Sequence, residues 1–459
     1  MFIDHDLVPH VISCKGVQLE VENAIKENAG LCHEVNPNRT LTSLHHAIDT
    51  LHYALDDSNT YPVQLVNEVL EIQSHSNMTS SFIWDEYLYG DLMISIYYDD
   101  DSPVVTLQSP EKHQFSESDE EYIKETDTRS ILIYVPKIKV SNGKWTLNVM
   151  NWKDATSEVH ILVKSTNITD ASEYPITVRS WTKLFNENGR VPKVGIYTDV
   201  IQGHHPLSDV TVTAHVHRED GKIHVIELFD NGAGADIEKH DGIYSRYYPY
   251  IHQSPGSYHV DVHVTDSETK GVIVKKEIIA PTNPELEDLG NIPDFRYNIT
   301  KVPLEFGLTR TTAAGTIRIP EQTNRRHFRS TSPNSEHSYL PVRVHDLKII
   351  KVSKAEKSFV VSWTAPGSHL DHGKASYYNF IYHNDTNLLL DSPEMAKTFQ
   401  KNSILNGNKS DPAIAGSEEK FKFRMPAEYS AIGFRLCAVS SHNKGCEYSN
   451  MVTVGFPGK

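Results

Sequence analysis

The chain has 459 residues, 38% of them hydrophobic and 23% charged, with a formal net charge of −16. A field of that sign repels phosphate and excludes nucleic acid as a partner, and no apolar run is long enough for a membrane-spanning helix. Roughly three folding units are expected at this length, and 22 Tyr with abundant Val favour strands over helices.

Residues 1–61 differ from the rest. Val17, Val21 and Ile25 recur at helical spacing with Gly30 as terminator, and Leu44, Ile48, Leu51 and Leu55 mark one face of a second helix. His45, Asp49 and His52 occupy the other face. Two helices about a short apolar stretch at Leu31 read as the end of an α/β domain. About sixty residues alone bury little core, so this piece is expected to need its missing half.

From 62 to 282 the pattern is β. Val210, Val212, Ala214 and Val216 alternate with Thr211, Thr213 and His215, and Tyr258, Val260, Val262 and Val264 alternate with His259, Asp261 and His263. That is the period of half-buried strands. Gly143-Lys144-Trp145-Thr146-Leu147-Asn148-Val149 and Gly256-Ser257-Tyr258-His259-Val260-Asp261-Val262 share a glycine, an aromatic two residues on, and alternation. Each reads as a late strand of its own sandwich, which divides the region into a β-rich sandwich at 62–170 and an Ig-like sandwich at 171–282.

Between the strands of the second lies Asp230-Asn231-Gly232-Ala233-Gly234-Ala235-Asp236, followed by His240-Asp241-Gly242. Glycine supplies backbone conformations that other residues resist, and aspartate folds back onto nearby amides. Such a mixture makes a sharply re-entrant loop or gathers carboxylates around a hard cation. Asp230, Asp236 and Asp241 are therefore candidate calcium ligands. The spacing departs from an EF-hand, which would need glycine at 241, and turn capping is the favoured role. His215 and His217 share one outward strand face and could chelate zinc or sense acidification, but no third ligand follows at diagnostic spacing. They read as a solvated face, as do His45-His46 and His204-His205.

Residues 283–339 lose periodicity, gain Pro, Asn, Ser and Thr, and are expected to be a linker. The basic cluster Asn324-Arg325-Arg326-His327-Phe328-Arg329 inside it reads as a solvated loop. In 340–459, Val360-Val361-Ser362-Trp363-Thr364 is a strand carrying a core tryptophan and ended by Pro366. Phe434, Leu436 and Ala438 share one face of a later strand, with Cys437 on the other. This unit resembles a fibronectin type III domain, giving a mainly β, tandem-sandwich chain with a short α/β remnant.

Four cysteines are present. Cys437 and Cys446 bracket the turn-rich Ser440-Ser441-His442-Asn443-Lys444-Gly445 and could bond across a hairpin, and Cys14 with Cys32 is a second pair. Sequons for N-glycosylation stand at Asn38, Asn77, Asn167, Asn298, Asn384 and Asn408. The first residues lack the basic-then-apolar pattern of a secretory signal, and no anchor tail ends the chain. An extracellular or surface-associated fragment of a longer secreted protein reconciles these signs.

Three patches in order, the aspartate-glycine loop, Arg310-Thr311-Thr312-Ala313-Ala314-Gly315-Thr316, and Ser362-Trp363-Thr364-Ala365-Pro366-Gly367 with Asp371-His372-Gly373-Lys374-Ala375, resemble the calcium-activated chloride channel regulator family. The resemblance implies that 1–61 is the tail of a von Willebrand A domain. It also implies modulation of calcium-activated chloride conductance through a membrane channel or other cell-surface protein, or through the chain's own N-terminal protease part. At Ser368, His369 and Leu370 this chain is less acidic than the family. The family's zinc-protease motif His-Glu-x-x-His is missed: His33-Glu34-Val35-Asn36-Pro37 has proline where the second histidine must stand. Asp56-Asp57-Ser58-Asn59-Thr60 likewise misses the family's metal-ion-dependent adhesion motif. No Gly-x-Ser-x-Gly elbow or reactive-cysteine context occurs. The expected function is a non-catalytic interaction scaffold. The alternatives are the accessory part of a self-cleaving metalloprotease and a calcium-dependent adhesion module.

Overall fold

The computed structural model describes residues 11–14, 32–35, 62–99, 101–165, 174–185, 193–218, 221–250, 256–279, 296–319, 339–441 and 445–455. The two N-terminal helices, the basic cluster at 324–329, Asn38 and Asn167 lie outside them. Near the start, Val11–Cys14 pairs in parallel with Cys32–Val35, a pairing that needs a crossover connection and is usual in α/β folds. The register sets Val11 against Cys32 and Cys14 against Val35. Three positions separate the two cysteines along the pair, about 10 Å, which is longer than a disulfide spans. The expected Cys14–Cys32 bond is therefore corrected by register.

The described β structure forms two compact units. One draws on Met1–Lys183, Tyr197–Leu228 and Gly256–Pro320, the other on Leu184–Ile196, Phe229–Pro255 and Glu321–Lys459.

In the first unit, residues 63–165 make a sandwich. One sheet runs Asn77–Trp84, Gly143–Met150, Val104–Gln108, Gln114–Phe115; the other runs Val63–Ile72, Ser157–Ser165, Leu92–Tyr98, Ser130–Val135, Tyr122–Glu125. Alternation places Trp145, Leu147 and Val149 inward from the inner strand Gly143–Met150, where Trp145 stacks on Phe82 at 6.4 Å and Phe115 at 6.2 Å. These join Leu65, Ile94, Ile96 and Ile161 in one core.

Two more sheets follow. One is ordered Ile176–Phe185, Lys193–Gln202, His205–Ser208, Val272–Ile279, Arg296–Pro303, and the other Ile223–Leu228, Thr211–Arg218, Gly256–Asp266, Leu308–Ile319. The likeness between the segments at Gly143 and Gly256 has a structural basis. Both glycines open inner strands at positive φ, +122° and +137°.

Strands Arg296–Pro303 and Leu308–Ile319 fall where the sequence suggests a linker, and they correct that reading. The second pairs along its whole length with Gly256–Asp266. Its side chains are buried on both faces from 310 to 317, so small residues such as Thr312, Ala313, Ala314 and Gly315 replace the apolar-polar alternation. Arg310, fully buried, meets the equally buried carboxylate of Asp85.

In the second unit, Lys348–Ser353, Ser358–Thr364, Glu418–Arg424, Ile404–Asn406 and Lys397–Thr398, Tyr377–His383, Ala431–Val439, Val452–Gly455 form the two sheets of the C-terminal sandwich. Trp363 is fully buried at its centre, 5.1 Å from the rings of Tyr378 and Phe421. A short helix, Thr386–Asp391, is capped by the carboxylate of Asp385, which accepts from the amides of Asn387 and Leu388. Ala431–Val439 is buried on both faces beyond its first residue, so Cys437 is inward-packed rather than surface-facing. A disulfide joins it to Cys446 at a Cα–Cα distance of 5.8 Å. Cys446 sits in the irregular segment before Val452–Gly455, so the bridge ties a loop to a strand instead of crossing a hairpin.

Candidate functional site

The aspartate-glycine loop leaves the bridge between Phe229 and Ser245 and folds into successive side-chain-to-backbone turns. Gly232, Gly234 and Gly242 have φ of +72°, +73° and +90°, the left-handed region that glycine enters without strain. Asn231 Oδ1 accepts from the amide of Ala233, and Asp236 accepts from Gly232 and Glu238. Asp230 accepts from His240 and Gly242, and Asp241 from Ile243 at 2.9 Å.

The fold brings the three predicted aspartates together, with one carboxylate oxygen of each within 4.8 Å of the others. Burial pushes the Asp236 carboxyl up to about 7 against the pull of the Gly232 amide, and the charges of Asp230 and Asp241 add to the rise. Burial likewise raises Asp230. The donor atoms of such a trio have the chemistry for a proton or a hard, oxygen-seeking cation, and calcium would need several waters to complete its shell. The backbone bonds give all three side chains a turn-capping role.

Asp371, 130 residues or so away in sequence, completes this corner of the second unit. Its Oδ2 accepts from the amide of Tyr247 at 3.0 Å, and Arg246 Nε lies 4.0 Å from its Oδ1. The Arg246 guanidinium also donates to the Asp371 carbonyl and covers the ring of Phe229 at 5.0 Å. Burial lifts the Asp371 carboxyl to about 6, with the Tyr247 amide and Arg246 pulling the other way. His372 is held by burial, with Arg246 beside it, down to about 4, and because a carbonyl can only accept, its Nε2–H donates to the Tyr247 carbonyl at 2.7 Å. Gly234 packs directly on Asp371: a Cβ there would stand 2.5 Å from Oδ2. Asp371 lies in one of the patches that carry the family resemblance, and its contact with the glycine loop left no local trace in the sequence.

The histidine face of the first unit is richer than His215 and His217 alone. Register sets His217 opposite His259 and His215 opposite Asp261. His263 stacks on His215 with ring centroids 4.1 Å apart. Asp261 is buried and receives His259 Nε2 at 3.0 Å and His217 Nε2 at 3.5 Å. Burial lowers His215 and His217, and takes His263 down to about 4 with the help of His215. Burial is the largest influence on His259 and would lower it too, but the charge and hydrogen bond of Asp261 together with the Glu158 charge outweigh it and raise the ring. The alternation that puts His259, Asp261 and His263 on one strand face was visible in the sequence, while their pairing with His215 and His217 was not. Four sequon asparagines, Asn77, Asn298, Asn384 and Asn408, are exposed.

No family model matches the chain. It is 26% identical over 405 residues to calcium-activated chloride channel regulator 1 of Bos taurus, covering 85% of this chain and 42% of that protein. With regulator 1 of Equus caballus it shares 28% over 416 residues, covering 88% and 42%. With regulator 2 of Homo sapiens it shares 25% over 372 residues, covering 79% and 37%. The chain is thus a distant relative of calcium-activated chloride channel regulators and spans about two fifths of their length. Among solved structures, a titin fragment aligns over 86% of this chain and 98% of its own at 11% identity, with a TM-score of only 0.17. A likeness so weak carries no argument.

Proposed function

We propose that the chain is the non-catalytic, extracellular interaction portion of a calcium-activated chloride channel regulator-like protein, modulating chloride conductance through contacts of its sandwiches with a membrane or cell-surface protein. Similarity to regulator proteins over 79–88% of the chain carries this reading. It is supported by the disulfide Cys437–Cys446, a bond that persists in oxidising compartments, and by the exposed sequons. No helix among the described residues is long and apolar enough to cross a membrane. The motifs for zinc proteolysis and nucleophilic catalysis are missed in the sequence, so chemistry is assigned elsewhere in the longer protein.

Whole-cell recording tests the proposal. Purified chain added to the bath of cells expressing a calcium-activated chloride channel should raise current density at fixed intracellular calcium. Unchanged current with the protein demonstrably bound to the cells would end the modulatory reading. Hydrolysis of a peptide library by the same sample would end the non-catalytic one.

A further inference from the structure

We propose that His217, Asp261 and His259 form the core of a divalent transition-metal site, zinc being the simplest occupant, with His215 and His263 supplying further imidazole at its edge. The backbone provides the first support. His217 and His259 are direct cross-strand partners on the antiparallel strands Thr211–Arg218 and Gly256–Asp266, and Asp261 is the partner of His215 on the same face. Side chains so opposed start about 4.5–5.5 Å apart at Cβ, a span that two imidazoles bridge readily around one ion.

The side chains provide the second. Both Nε2 atoms turn onto a single carboxylate, His259 at 3.0 Å and His217 at 3.5 Å. Each imidazole meets its own oxygen of that carboxylate, His259 on Oδ1 and His217 on Oδ2, at spacings near the roughly 3.3 Å that separates ligand atoms around a tetrahedral zinc with bonds of 2.0–2.1 Å. The gap between the two imidazoles closes on binding. The His217 and His259 ring centroids are 6.3 Å apart at an interplanar angle of 44°, and the two side chains are 37% and 26% exposed. Among the described residues only the three loop aspartates already bring all their ligand atoms within 4.8 Å, so the histidine site is formed by the ion rather than in advance of it.

A third support is the backbone irregularity at the same point. Register shifts between Val260 and Asp261, which face Gly315 and Ala313 and skip Ala314, while Gly315 takes φ of +87°. A bulge in a neighbouring strand locally re-aims side chains and is common beside functional sites. The donor set also selects the ion. Imidazole nitrogen with one carboxylate suits zinc, copper or nickel and disfavours calcium and magnesium, which want oxygen throughout. A groove of about 400 Å3 lined by His263, Glu68, Thr265 and Thr311 reaches the His263 edge of the cluster.

The test is calorimetric titration of ZnCl2 into the full chain in a non-chelating buffer, with the visible absorption of Co2+ as an independent reading of coordination. One ion per chain with a Kd of about 1 µM or tighter is expected, and His217→Ala and Asp261→Asn should each weaken binding at least tenfold. Because Asp261 is buried, the metal-free melting temperature of every variant is measured, and the half-exposed His217→Ala decides the matter if Asp261→Asn fails to fold. Absence of saturable binding would overturn the proposal. So would affinity unchanged in His217→Ala but lost in Asp236→Asn, which would put the ion in the aspartate-glycine loop.

Discussion

Gly234→Ala probes how the glycine-rich loop is held in the second unit. At φ of +73° an alanine pays about 1 kcal/mol relative to glycine for the left-handed backbone alone. Its Cβ would also stand 2.5 Å from Asp371 Oδ2, 2.7 Å from its Cβ and 3.0 Å from its Cγ, so a small adjustment cannot clear all three atoms. Displacing Asp371 would break its bond from the Tyr247 amide. A hydrogen bond to a buried charged group contributes about 1.5–3 kcal/mol. The sum is about 2.5–4 kcal/mol, or roughly 5–16 °C in melting temperature for a unit of 150–250 residues. Differential scanning calorimetry reads this against Gly221→Ala, where φ is +79° and nothing lies within 4 Å of the added Cβ. That control should lose only about 1 kcal/mol. In an Asp371→Ala background the effect of Gly234→Ala should shrink to the backbone share. If Gly234→Ala destabilises no more than Gly221→Ala, the packing of this loop on Asp371 is refuted.

Three other outcomes are expected. Asp236 and Asp371 have folded pKa values of about 7 and about 6, above the usual 3.8, so the native state binds more protons than the unfolded one. Their stabilisation is complete below about pH 4 and is lost as pH rises through 6–7. Denaturant unfolding should therefore show the second unit weaker at pH 8 than at pH 5, by about 2–4 kcal/mol at most, and Asp236→Asn should flatten the difference. Replacing Arg310 by Met should leave Asp85 as an uncompensated charge where both partners are fully buried and lower the stability of the first unit by about 3–5 kcal/mol. Adding Asp85→Leu should restore much of the loss. Removing the Cys437–Cys446 bridge, which closes a sequence separation of 9, with a double Cys→Ala change should cost the C-terminal sandwich about 2.5 kcal/mol in chemical denaturation.

What the sequence determined by itself was local. Alternation over windows of about eight residues announced the β class, Trp363 announced a sandwich core, and nine residues of separation brought Cys437 within reach of Cys446. Asp230, Asp236 and Asp241 could be named as a group because twelve consecutive residues hold them. Where strands are buried on both faces the periodic signal vanishes, and this is why Leu308–Ile319 looked like linker. Only the tertiary structure decided what depends on register between distant segments. It set His259 and Asp261 beside His217 and brought Asp371 under Gly234, and it placed Cys14 out of reach of Cys32. A side chain's period is written along its own strand. Its neighbour across the sheet is fixed by loop closure and burial summed over the whole unit, and no short window contains that sum.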